Sequence, residues 1–294
     1  VDIFGGFYQA QSKPLSAQRC VNLYPIAAQG KALTGKALYG SSGVKSFIAD
    51  IGSEPNRGAK TMSDVPYVVN GQKLYSFDKF GAVTEHGQIL GAGRVSMAAS
   101  ATKLVIVVPG AEAYVYDSST LSLTEISDSN FQLASCVVEK DSYFIFAASD
   151  GTNFFNSNLG DPLTYNAVDY EDSEVSPDNI VGLHVNHNSL YVLGEDTIEE
   201  FQDVGKTDGS PFTRVNGASI PKGIFSQFTP LDFDSTFLFV GAGENEKPAV
   251  WQVEGGQHHK ISNDAVDNVI EQFTDDELSD HFSMTYSEDG RFFG

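Results

Sequence analysis

A rhythm of about forty residues runs through most of this chain and limits the folds open to it. Residues 67–70 and 73–77 read as two short strands joined by Asn70-Gly71. That dipeptide favours a type I′ hairpin, whose central positions both need positive φ. Phe80-Gly81 then turns into a third piece, 82–85. The plan recurs at 95–98, 103–108, 114–116 and 123–126, and again at 135–139, 143–147 and 153–156. A fourth set covers 180–185, 189–193, 198–202 and 212–215, and a fifth 223–228, 236–240, 250–253 and 259–261. Equivalent strands pass through Tyr75, Val115, Phe154, Glu199 and Trp251, in steps of 40, 39, 45 and 52 residues. Three or four short strands per repeat of this length predict an all-β chain of repeated antiparallel blades, a β-propeller. A β-sandwich, whose strands come at even spacing without such grouping, is the competing architecture.

The rhythm is interrupted near 263–280. Ala265, Val266, Val269, Ile270 and Phe273 fall at helical spacing, with Asn263 as N-cap. Thr274-Asp275-Asp276-Glu277 reads as a capping box starting a second short helix over 275–279. A strand is expected at 282–286 and a partner from Arg291, so the pattern predicts five blades plus a sixth cut short at Gly294. Residues 1–60 look irregular and are expected to form an arm, with the propeller spanning 61–294 and incomplete at its C-terminal end.

The chain has 39 acidic and 18 basic residues, a net charge of −21. It lacks the basic stripe of a nucleic-acid binder, so DNA is expected only to pass by, without specific binding. Its 21 Phe and 12 Tyr give ample material for a core. The longest apolar run, 104–109, is far too short to cross a bilayer, and no membrane partner is expected. Two cysteines, Cys20 and Cys136, do not make a disulfide framework and read as free thiols.

The residues that could carry chemistry each have a plainer reading. His184 and His187 lie three apart, on opposite faces of a strand, and would need a bulge to share a metal. His258 and His259 follow Gly-Gly in what reads as a polar loop. Ser149-Asp150-Gly151-Thr152 resembles the Asp-box of sialidase-type propellers, a hairpin turn with a structural role. A glycosidase needs two carboxylates at a set separation. Glu171, Asp172, Glu174, Glu195, Asp196, Glu199 and Glu200 offer pairs, with Arg214 a packing partner for Glu199 or Glu200. Residues 170–178 gather acids, yet no Asp-x-Asp-x-Asp-Gly calcium loop occurs. Lys13, Arg19, Lys31, Lys36, Lys45, Arg57 and Lys60 bias the first sixty residues towards positive charge, suiting either a solvated arm or an acidic neighbour. No catalytic, cofactor or metal residue is nominated, and no cofactor is expected.

Four ordered stretches carry a family resemblance. They are 93–98 (GRVSMA); 149–152 with Asn158-Leu159, Asp161-Pro162 and Tyr165; 176–182 (SPDNIVG) running on through Gly194, 197–199, Phe201, 217–218 and 222–224; and 265–280. In this order they resemble the packaged-DNA stabilisation, or tail accessory, proteins of short-tailed bacteriophages. The resemblance implies a structural, non-enzymatic protein of the virion tail, assembled in the host cytoplasm. It implies a hexameric ring below the portal and its adaptor ring, which extends the tail channel, retains the packaged genome and binds the tail needle or plug. The tailspike is a further expected neighbour. A glycan-cleaving or glycan-binding propeller of a phage tail is the alternative.

Overall fold

A computed structural model describes residues 23–27, 36–40, 43–48, 51–172, 178–206, 209–288 and 291–294. A hairpin of β1 (Leu23–Ala27) and β2 (Lys36–Gly40) comes first. The first four-stranded sheet follows: β3 (Asn56–Met62), β4 (Val65–Asn70), β5 (Lys73–Phe77) and β6 (Val83–Gln88). The second is β7 (Ser96–Ala99), β8 (Lys103–Val107), β9 (Ala113–Asp117) and β10 (Ser122–Glu125). The third is β11 (Ala134–Lys140), β12 (Tyr143–Ala148), β13 (Asn153–Asn156) and β14 (Tyr170–Asp172). The fourth is β15 (Ile180–Asn186), β16 (Ser189–Gly194), β17 (Ile198–Asp203) and β18 (Phe212–Ile220). Each is an antiparallel meander, its strands hydrogen-bonded in chain order.

The fifth sheet differs at its first strand. β19 (Gly223–Ile224) and β20 (Leu231–Phe233) both pair with β21 (Thr236–Ala242), which continues to β22 (Ala249–Glu254) and β23 (Gln257–Lys260). β19 lies opposite Gly241–Ala242 and β20 opposite residues 236–238, so the two are one strand broken by an excursion over 225–230. Two helices follow, α1 (Asp264–Ile270) and α2 (Asp275–Ser279), and then the hairpin β24 (Tyr286–Glu288) and β25 (Arg291–Phe293).

The core consists of four layers, one between each successive pair of these five sheets. Alternation along the central strands makes this possible, because successive side chains point to opposite faces. In β8, Leu104 and Ile106 join the layer against the first sheet, while Val105 and Val107 join the layer against the third. In β12, Phe144 and Phe146 face the second sheet, and Ile145 and Ala147 the fourth. In β16, Leu190 and Val192 face the third sheet, and Tyr191 and Leu193 the fifth. Strands buried on both faces explain why 104–108 and 144–147 read as unbroken apolar runs. This radial stacking is the propeller arrangement and replaces the sandwich alternative.

Several boundaries move from those expected. β3 crosses the expected limit between arm and blades at residue 60, so the first sheet begins at Asn56. Its polar, mostly exposed pattern (NRGAKTM) hid it. β14 adds a fourth strand to the third sheet, for which the sequence pattern showed only three and, at 170–178, a gathering of acids. The strand expected at 223–228 ends at Ile224, and the one expected at 282–286 starts only at Tyr286. Both helices lie where their caps placed them. Asn263 Oδ1 accepts from the N–H groups of Ala265 and Val266, and Thr274 and Glu277 form the reciprocal capping box.

Candidate functional site: the axial cavity and the strap across it

The first strands of the sheets lie side by side, β3 by β7, β7 by β11 and β11 by β15. They enclose a cavity of about 900 Å³. Lys60, Arg94, Glu139, His184 and Asp232 bring charge or polarity to its wall, and Phe282 closes part of it. The fifth sheet reaches this cavity through the excursion over 225–230, which carries Gln227, Phe228 and Pro230 onto the wall.

Residues 281–284 run across the cavity as a strap. The Ser226 hydroxyl donates to the His281 carbonyl at 2.9 Å, and the Ser283 N–H donates to the Phe228 carbonyl at 2.9 Å. The Arg94 guanidinium, entering from the connection just before the second sheet, lies 5.2 Å from the Phe228 ring centroid and 5.1 Å from that of Phe282. A planar cation between two aromatic faces is stabilised by their quadrupoles. Arg94 thus ties the second sheet to the fifth and to the strap. The sequence offered Arg94 only as part of the 93–98 stretch; its partners are 134 and 188 residues further on, and no local pattern links them.

His184 and His187 do not share a site. His184 Nε2 lies 3.1 Å from Asp232 Oδ1, which also accepts from Asn186 at 2.8 Å. His187 has φ +51° in the turn after β15, and its Nε2 meets the Ser235 carbonyl at 2.8 Å. Both rings therefore join the fourth sheet to the fifth. Burial pushes the Asp232 carboxyl up, but the hydrogen bonds from His184 and Asn186 outweigh it and hold the group below its ordinary value. His258 and His259 sit on β23, opposite Val253 and Gln252, and not in a loop. The Gly255-Gly256 turn before them has φ +57° and +75°.

The candidate carboxylates are dispersed into structural roles. Glu199 is buried, with Arg214 Nη1 3.6 Å from its Oε2, while Glu200 points the other way and accepts from Ser189 at 2.5 Å. Glu195 accepts from Asn179 at 3.2 Å, and Asp196 offers its backbone N–H to Asp178 at 2.9 Å. Glu171 and Asp172 lie on β14 beside Phe154 and Asn153; Glu174 lies outside the described residues. The Asp150 carboxylate accepts from the Thr152 N–H and hydroxyl, bonds that hold its pKa low, so this box is a turn. Cys136 is buried in the third core layer, and burial pushes its thiol up to about 11, unsuited to nucleophilic work. Cys20 lies outside the described residues. Among the described residues no three His, Cys, Asp or Glu side chains gather as metal ligands, and no helix is long and apolar enough to cross a membrane.

The basic residues of the first sixty also separate. Lys13, Arg19 and Lys31 lie outside the described residues, and Lys45 is exposed. Arg57 is buried and donates to three carbonyls, Gly93 at 2.6 Å, Gly71 at 3.0 Å and Ile89 at 3.2 Å. It is a clamp on the turns of the first sheet, with burial lowering its pKa.

The chain is similar in sequence or in fold to several known proteins. The curated tail hub protein gp10 of Salmonella phage P22 is 27% identical over 231 residues, which are 74% of this chain and 48% of that protein. The chain spans about half the length of the curated relative it matches. Among solved structures, the computationally designed Ika8 protein aligns with a TM-score of 0.45 at 15% identity, over 69% of this chain and 59% of its own. The N-terminal domain of Nup159 aligns with a TM-score of 0.42 at 10% identity, over 71% of this chain and 63% of its own. Likenesses as loose as these two say nothing of function. The phage stabilisation family, described as "Bacteriophage P22 Gp10, beta-propeller", matches residues 1–293, and the chain belongs to that β-propeller family.

Proposed function

We infer that this protein is a structural, non-enzymatic component of a phage tail. Copies pack side by side into a closed ring, a hexamer, below the portal and its adaptor ring. The ring extends the tail channel, retains the packaged genome and meets the needle or plug, with the tailspike as a further neighbour. It is assembled in the host cytoplasm and ends in the virion tail. The family match over residues 1–293 carries this reading.

The physical properties of the chain agree with it. Five stacked sheets give a stiff wedge with few long exposed edges. A charge of −21 suits a wall that DNA passes without adhering. One turn of duplex is about 34 Å long, so a cavity of about 900 Å³ cannot hold it. The DNA path in this reading is the bore of the ring and not the axis of the blades. Mass measurement of the protein incubated with its adaptor tests the reading. A single closed oligomer on the adaptor is expected; protein that stays monomeric beside an intact adaptor ring contradicts it.

A further inference from the structure

The helices α1 and α2 leave an apolar stripe uncovered. Ile270 and Leu278 are buried against the body. Val266 and Val269 lie on a neighbouring face of α1, and Phe273 stands in the turn three residues past its end, edge-on to the His281 ring at 4.8 Å; they are 41%, 54% and 39% exposed. Three large apolar side chains within eight residues, each open to water on at least part of its surface, mark a contact surface more than a chance exposure. The stripe lies in a field of one sign. Residues 261–280 hold seven carboxylates and no Lys or Arg. Lys260 answers Asp267 at 2.5 Å and Lys247 answers Glu271 at 2.7 Å, while Asp264, Asp275, Asp276, Glu277 and Asp280 are all exposed.

The chain contains a segment of complementary chemistry. Residues 3–49 carry five basic side chains and no acidic one, the longest acid-free stretch in a chain of net charge −21. Its first part, 3–22, combines Phe4, Phe7 and Tyr8 with Lys13 and Arg19. A chain this acidic repels its own copies. A head-to-tail contact joins two different surfaces, so it gains most where it places the acid-free segment of one copy on an acid-rich surface of the next.

We propose that the α1–α2 stripe is the docking surface for the N-terminal segment, residues 3–22, of a second copy of this chain. The aromatic residues cover Val266, Val269 and Phe273, and Lys13 and Arg19 meet the carboxylates of α2. This rests on the ring reading and names one of its contacts.

Two measurements on the whole chain test it. In the first, light and isotope-labelled protein are mixed and treated with a zero-length carboxyl–amine cross-linker. Mixed-label links from Lys13 to Asp275, Asp276 or Asp280 are expected. Links confined to single-label pairs, links of Lys13 to carboxylates elsewhere, or no Lys13 link would overturn the proposal. In the second, self-association is followed by sedimentation. Lys13→Glu with Arg19→Glu is expected to weaken it on the order of tenfold, and adding Asp276→Lys with Asp280→Lys to restore it. Val266→Ser, Val269→Ser and Phe273→Ser together, all at exposed positions, should keep the parent circular dichroism and lose association. If that triple variant associates like the parent, the proposal falls and the ring reading stands. If the parent itself does not associate, alone or on its adaptor, both fall.

Discussion

At the residue scale, many of the acidic side chains are used to build turns. Asp78, Asp117, Asp128, Asp150, Asp161 and Asp203 each accept a hydrogen bond from the backbone N–H two residues on. This is the Asx-turn, which competes with strand continuation and so punctuates it. Asp178 does more. Its Oδ2 accepts from the Asp196 and Thr197 N–H groups at 2.9 Å each, and it occupies the space beside Gly194, where a Cβ would come within 2.3 Å of that oxygen. Gly194→Ala is therefore expected to destabilise the parent by about 1–3 kcal/mol, the scale of an overpacked or broken polar contact. It should cost clearly less in an Asp178→Ala background. Chemical denaturation of the four variants checks this, and equal costs in both backgrounds would show that the two residues do not compete for space. Glu199 and Arg214 make a second coupled pair. Arg214→Met leaves a buried carboxylate without its nearest cation and is expected to cost up to about 3 kcal/mol, because Arg214 keeps some solvent contact. Glu199→Gln combined with Arg214→Met should recover part of that loss. Cys136, with its thiol pushed up to about 11, should resist a thiol reagent at pH 8 in the native protein and react on unfolding.

At the scale of elements, the strands readable in the sequence were those buried on both faces or closed by a strong turn. β8, β12 and β16 announce themselves as apolar runs, and β4–β5 by Asn70-Gly71. The starts of both helices were readable to the residue because their caps are side-chain chemistry at fixed offsets, while the end of α1 was not: it stops at Ile270, short of Phe273, which the helical spacing included. Thr274→Ala removes the half of the capping box that the Thr274 hydroxyl makes with the Glu277 N–H, leaving the N–H of residue 274 on the Glu277 carboxylate, and should cost about 1 kcal/mol, read as a fall in thermal midpoint. β3 and β14 were hidden because, unlike the buried first strands β7, β11 and β15, both bury little, and their composition is that of loops. The broken first strand of the fifth sheet was hidden for another reason. Residues 225–230 leave the ladder to reach Arg94 and the strap, a tertiary contact that no local period records. The axial cavity was likewise invisible, since Lys60, Glu139, His184 and Asp232 come from four different sheets and Arg94 from the connection between β6 and β7.

At the scale of the whole molecule, charge and pH act against each other. Hydrogen bonds hold Asp117 and Asp150 below their ordinary 3.8, and Lys222 holds Glu246 below its ordinary 4.5. A carboxylate depressed in the folded state adds stability above its unfolded pKa and loses it as pH falls through the folded one. Thermal stability should therefore decline once pH drops below about 4. Near neutral pH the dominant whole-molecule effect is repulsion among 39 carboxylates, so moderate salt, about 0.15 M, should raise the midpoint by screening it. An unchanged midpoint would mean that the repulsion is already neutralised locally. In the proposed function this acidic propeller forms a ring in a phage tail. Electron microscopy of particles that carry the protein with a compact tag tests it most directly. Tag density repeated in a closed ring at the tail, below the portal, is expected; particles with intact tails and no tag density there would rule the ring out.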